Sequence, residues 1–311
     1  MSSNTELAPL VFSRLPAELL YEIFGHAARS GDKKTILSLS RVSSWLRRYV
    51  EPCLYHTVYL CTTRNLIAFA DTLDMKPPSF AAKHVRNLCI SAKGPIETID
   101  RTLAACTGVE SLMFGFSMFD YHYVSDGLVI PTLTSVREQH LTNLSLRDGW
   151  DDGLIAPNVT HLRLLVTDKQ QFLSSRSGQS SWERLASIRT LTHLSIAFTP
   201  SSWYPVTAIL TSLLEVFDAS DRRADAAPSQ VPRLTLVVVQ VNDRSQGASR
   251  VDELNKVAVA RGGNALRVVA ESMYKYGDQC PWNYAARGGK SIWEDAEEVL
   301  RERLTEDRGS R

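Results

Sequence analysis

The side chains able to do chemistry are scattered along this chain. Its seven histidines stand at positions 26, 56, 84, 122, 140, 161 and 193. Two of them occupy equivalent places, in Val159-Thr160-His161-Leu162-Arg163-Leu164 and in Leu191-Thr192-His193-Leu194-Ser195-Ile196. Paired imidazoles at a repeated position suit a transition metal, which asks for further nitrogen, sulfur or oxygen ligands. No third ligand recurs with them. Each adjoins a leucine whose side chain points to the opposite face of a strand. The spacing therefore predicts two histidines on a repeated outer face. Asp120 and His122 are near neighbours, yet no serine or cysteine stands in a matching context and no GxSxG elbow occurs. Asp151-Asp152 reads as a turn. Arg287-Gly288-Gly289-Lys290-Ser291 lacks the spacing of a phosphate loop and follows no clear strand. With no HExxH helix and no calcium loop, the chain is expected to be no enzyme and to hold no metal or cofactor.

The bulk chemistry narrows the partners. Lys and Arg number 35 against 34 Asp and Glu, for a net charge of +1. No basic stripe for nucleic acid is evident. The five cysteines (53, 61, 89, 106 and 280) are odd in number, widely spaced and without a CxxC pair. That usage fits a reducing compartment better than a disulfide framework. The longest strongly apolar run, Leu234-Thr235-Leu236-Val237-Val238-Val239-Gln240-Val241, is too short to cross a bilayer as a helix. With no secretory signal pattern at the N-terminus, an intracellular protein, in cytoplasm or nucleus, is expected.

The elements that would position functional side chains begin with a helical head over residues 13–56. Pro16 suits a first helical turn and Glu18 follows it there. Leu19, Leu20, Ile23, Phe24 and Ala27 recur at helical spacing. Ile36, Leu37, Leu39, Val42 and Leu46 mark a second helix. Glu51-Pro52 predicts a break. Three short helices make a very small core, so the head is read either as a docking module or as an N-terminal helical cap that seals the body.

These residues resemble the F-box, the adaptor-binding motif of substrate receptors in cullin-type ubiquitin ligases. The resemblance rests on Leu15-Pro16, Leu19, Ile23-Phe24, Leu39, Val42-Ser43 and Pro52-Cys53-Leu54-Tyr55. The run from Val50 to Val58 is similar to F-box proteins of mushroom-forming fungi. The resemblance implies contact with a Skp1-type adaptor through Leu15, Pro16, Leu19, Ile23, Leu39 and Val42. Trp45 stands nearer the Val-Ser pair than the motif's usual tryptophan, which points to Tyr49 as the core aromatic.

Beyond the head, residues 57–275 repeat a short apolar strand followed by a helix or loop. Leucines at 88, 112, 144, 162, 194 and 234 centre the pattern. Their separations run from 18 to 40 residues, against the 20–29 of regular leucine-rich repeats. The expected fold class is α/β: a three-helix F-box, then an irregular leucine-rich-repeat-like solenoid of short parallel strands and helices. An ordinary α/β domain with crossover helices is the alternative. Residues 218–232 and 242–250 read as loops. Residues 1–12 are expected to be disordered, and 276–311 to form a loop and a capping helix, with Ser291 and Glu294 in a capping box.

Two aromatic-rich segments, Phe116, Phe119, Tyr121 and Tyr123, and Trp203 with Tyr204, either plug gaps in an irregular core or are candidate target-binding surfaces. Together these readings imply a non-catalytic substrate receptor of a Skp1-cullin-F-box ubiquitin ligase. Its head would dock to the adaptor and its solenoid would bind an unknown protein target, with no nucleic-acid or membrane partner. A scaffolding protein that keeps an F-box outside a ligase is the alternative.

Overall fold

Short apolar strands separated by helices satisfy their backbones by pairing side by side, and this chain pairs them in strict order. The computed structural model describes residues 15–29, 33–116, 121, 129–142, 152–166, 184–185, 187–198, 206–226, 233–243, 247–276 and 280–309. The chain divides into two units, Met1–Thr57 and Val58–Arg311.

The first unit holds α1 (Ala17–Arg29), α2 (Lys33–Ser40) and α3 (Ser44–Tyr55). The Pro16 carbonyl accepts from the Leu19 and Leu20 amides at 3.1 and 3.2 Å, so Pro16 opens α1. The Ser43 hydroxyl caps α3 by accepting from the Leu46 amide at 3.2 Å. Ala28, Ile36, Leu46 and Val50 form the core, with Phe24, Leu39, Tyr49, Cys53 and Leu54 packed against it. Tyr49 is thus a core aromatic, and Trp45 is exposed. The expected break at Pro52 does not occur, because α3 runs through it to Tyr55. A proline inside a helix costs about 3 kcal/mol. Apolar residues on both sides of Pro52, Val50 before it and Leu54 after it, pack on the same core and hold the helix together.

The second unit is built on one continuous, all-parallel, eight-stranded sheet ordered β1 to β8. The strands are β1 (Thr57–Leu60), β2 (Asn87–Ile90), β3 (Ser111–Phe114), β4 (Glu138–Leu141), β5 (His161–Val166), β6 (His193–Phe198), β7 (Leu236–Val241) and β8 (Val268–Ser272). Consecutive parallel strands with right-handed crossovers put their connections on one face. Those connections include α4 (Thr63–Asp74), α5 (Phe80–His84), α6 (Ile96–Ala105), α7 (Val206–Ala226) and α8 (Gly247–Arg261). Leu88, Leu112, Gln139, Leu162, Leu194 and Val237 stand in one register line, all fully buried.

The other face is covered by the C-terminal chain. α9 (Pro281–Ala286) seats Trp282 on Cys89 and Met113. α10 (Ile292–Gly309) packs Ile292, Trp293 and Ala296 on Leu236, Val238 and Val269. Arg303 pins α10 to the last strand by donating to the Val268 carbonyl at 2.7 Å and to Asn255 Oδ1 at 2.6 Å. The capping box forms as expected: Ser291 N–H donates to Glu294 at 2.7 Å, and Glu294 N–H to Ser291 Oγ at 3.2 Å.

The expected fold class is corrected here. The structure has one continuous parallel sheet, not a discrete F-box followed by leucine-rich repeats. The connections are not equivalent units: α7 has 21 residues, whereas the chain between β3 and β5 carries the short 3-10 turns Ile130–Thr132 and Asp152–Leu154. The repeated outer face expected for His161 and His193 lies under Trp293.

Two of the smaller differences rest on polar residues, Gln139 and Ser220, that are buried because they are satisfied. The strand expected around Leu144 lies largely outside the described residues, and the strand that pairs between β3 and β5 is Glu138–Leu141, with Gln139 in the leucine line. The Gln139 side chain donates to the Leu154 carbonyl at 2.6 Å and accepts from the Ala156 amide at 3.0 Å. Likewise Val237, not Leu234, pairs with Leu194. The loop expected from residue 218 continues as α7, because Ser220 and Ala224 carry its buried side onward. Ser220 Oγ accepts from the Leu234 amide at 3.0 Å. The loop expected over 242–250 gives way to α8 from Gly247.

Candidate functional site

Parallel register brings Asn87, Ser111, Glu138, His161 and His193 into one line across five strands, on the face beneath α9 and α10. Each of these polar residues is followed by a buried residue of the opposite face, which fixes its direction. The line is then knitted together by hydrogen bonds. Ser111 Oγ donates to Glu138 at 2.9 Å and accepts from the Trp282 indole at 2.8 Å. Trp293 donates its indole hydrogen to Glu138 at 2.7 Å, and His140 Nε2 lies 2.7 Å from the same oxygen. A carboxylate only accepts, so His140 carries its hydrogen on Nε2.

Burial alone would raise the Glu138 carboxyl. His140 beside it and the hydrogen bonds from His140, Trp293 and Ser111 outweigh that, holding the carboxyl well below the usual carboxylate range. Burial pushes His140 down, against the pull of Glu138. His161 and His193 stack face to face at 4.2 Å, with the Trp293 ring edge-on to both. Burial, and for His161 the neighbouring His193, pushes each imidazole down to about 4. Both are uncharged at neutral pH. His193 Nε2 meets Glu297 on α10 at 3.1 Å. The two histidines do point away from their leucines, as expected, but they lie under α10 and not on an open face.

Beside this line is a pocket of about 440 Å³. Asn87, Ser111, Glu138 and His161 form its floor, and Trp282, Gly289, Trp293, Glu294 and Glu297 its walls. Three carboxylates and two indoles therefore line it, and among the described residues no lysine or arginine does.

The pocket contains none of the residues singled out for adaptor or target binding. Leu15, Pro16, Leu19, Ile23 and Val42 are exposed on the helical unit, and Leu39 packs partly into its core. Phe116 and Tyr121 are buried: their rings pack together at 5.6 Å, and the Tyr121 hydroxyl donates to Asp100. Phe119, Tyr123, Trp203 and Tyr204 lie outside the described residues, as do Asp120, His122 and Asp151. Sequence reasoning missed Ser111, Glu138, Trp282, Trp293 and Glu297. The available signal was the residue before each central leucine, polar in Asn87, Ser111, His161 and His193. The misplaced fourth strand hid Glu138 from it.

No protein-family model and no curated protein matches this chain. The resemblance of residues 13–58 to the F-box is therefore corrected. Neither the comparisons nor the fold support a Skp1-type adaptor, a leucine-rich-repeat surface for a protein target, a receptor subunit of a ubiquitin ligase, or an F-box scaffold. What the structure defines is an α/β unit with a parallel sheet and a closely framed acidic, tryptophan-walled pocket.

Proposed function

We propose that the sheet unit binds a small organic cation, such as a protonated amine or a quaternary ammonium group, and works by binding and not by catalysis. The observation that carries this reading is the pocket lining: Glu138, Glu294 and Glu297 with Trp282 and Trp293, and among the described residues no lysine or arginine. An ammonium group is attracted to carboxylates and to the electron-rich face of an indole, the latter by about 0.5–2 kcal/mol. A volume of about 440 Å³ suits a small molecule and is far too small for a folded partner.

The protonation states support binding. Glu138 is saturated by three donors and held ionised, which makes it a poor base. Glu294 is committed to the helix cap. His161, at about 4, is far from the near-neutral value that suits a general acid or base. The five cysteines are free thiols. Among the described residues no helix is long and apolar enough to cross a membrane.

The test is titration of the whole chain with choline, tetramethylammonium and putrescine, read by tryptophan fluorescence and calorimetry. The neutral isostere of choline, 3,3-dimethylbutanol, is the control. Saturable binding of at least one cation, with none of the isostere, is expected. Absence of a saturable response to every cation sinks the proposal. Chemical conversion of a bound amine, followed by mass spectrometry, replaces binding with catalysis.

A further inference from the structure

Next to the pocket line on the same face runs a second register line, Cys89, Met113, His140, Arg163, Ser195 and Val238. Its centre is unusual. His140, Arg163 and Ser195 sit on three adjacent strands, at 1, 2 and 0% exposure. Each presents a buried polar atom with no hydrogen-bond partner among the described residues: His140 Nδ1, Arg163 Nη2 and Ser195 Oγ. Buried polar groups in folded proteins are almost always paired, so three orphans side by side point to a shared partner.

The charge of that partner follows from Arg163. Its Nε donates to Gln240 Oε1 at 2.6 Å, and Gln240 in turn donates to Glu271 at 2.7 Å. The carboxylate of Glu271 thus reaches the guanidinium only through a neutral amide. Among the described residues no carboxylate pairs with Arg163 directly. A guanidinium taken wholly out of water calls for a counter-charge. Nη2–H and the Ser195 hydroxyl both donate, and both suit an acceptor.

We propose that His140, Arg163 and Ser195 form a buried site for one small monovalent anion of chloride's class. The anion takes hydrogens from Arg163 Nη2 and Ser195 Oγ. His140 already gives its Nε2 hydrogen to Glu138, and a proton on Nδ1 completes the third contact. That proton enters with the anion, so affinity rises as pH falls. The titratable groups facing His140 are Glu138, Arg163 and His161. Those facing Arg163 also include Cys280, Glu271 and Tyr276. Glu138 favours the proton, whereas burial and Arg163 oppose it. The site is separate from the cation pocket, and different probes read the two.

The experiment compares sodium chloride with sodium gluconate at matched ionic strength. It uses thermal unfolding of the whole chain, together with the chloride-35 NMR line width and its displacement by bromide. A saturable chloride-specific rise in Tm is expected, with bromide-displaceable line broadening that strengthens at lower pH. Ser195→Ala, which removes one donor and fits the same space, should weaken binding about ten-fold. Arg163→Met should abolish it. If Arg163→Met does not fold, Ser195→Ala carries the test alone. Equal responses to chloride and gluconate overturn the proposal and leave water as the shared partner. Unchanged chloride affinity in Ser195→Ala overturns it as well.

Discussion

Trp293 donates its indole hydrogen to Glu138 at 2.7 Å, across 155 residues of chain. One bond thereby ties the C-terminal helix α10 to the fourth strand and frames the pocket between them. This bond acts beside those of Arg303 and Glu297 in holding α10 where it lies. The apolar contact of Ile292, Trp293 and Ala296 with Leu236, Val238 and Val269 adds to it.

Trp293→Phe should separate these two contributions. The ring remains, but Glu138 loses one of three donors while staying buried. Hydrogen bonds to charged groups contribute about 1.5–3 kcal/mol, so a loss of that order is expected in urea unfolding. A loss below about 0.5 kcal/mol would show that packing alone seats the helix.

Acid should destabilise the sheet unit in two stages. The folded histidines 161 and 193 are held at about 4, below the unfolded value of 6.5. The unfolded chain therefore binds more protons between those values. Their contribution to stability is complete above pH 6.5 and is lost as pH falls through about 4. The depressed Glu138 carboxyl contributes above the usual carboxylate value, and that contribution disappears at lower pH still. Urea midpoints measured from about pH 7 to about pH 4 should fall steadily. Replacing both histidines by glutamine should flatten the upper part of the curve, and an unchanged slope would contradict the assignment.

Glu297→Gln tests the charge of the pocket wall with little structural cost. The side chain is 45% exposed, and its amide oxygen can still accept from His193. Choline or putrescine affinity should drop several-fold, while Tm moves by no more than a few degrees. Calorimetry and thermal unfolding on the same sample distinguish the two effects.

Gln139→Leu probes the register of β4. By side-chain pattern the change looks favourable, because leucine occupies the same line at 88, 112, 162 and 194. It would strand the buried Leu154 carbonyl and Ala156 amide, at a cost of about 1–3 kcal/mol for each unpaired group. A measurable loss of stability is expected. A gain would mean that the Gln139 bonds do not fix this turn.

The sequence by itself determined much of the local structure. Alternation around Leu88, Leu112, Leu162 and Leu194 placed four strands, because a strand's side-chain period is two whatever its neighbours do. Ser291 with Glu294 marked the start of α10 through two bonds that each span three residues. What it could not determine were contacts made by residues distant in the chain. Gln139 is buried only because a turn 15 residues later satisfies its amide. Trp282 and Ser111 meet across 171 residues. The identity of the covered face, and so the pocket, belongs to the tertiary structure alone. Periodicity reports that a face is buried, whereas the partner that buries it is chosen by the packing of the whole unit.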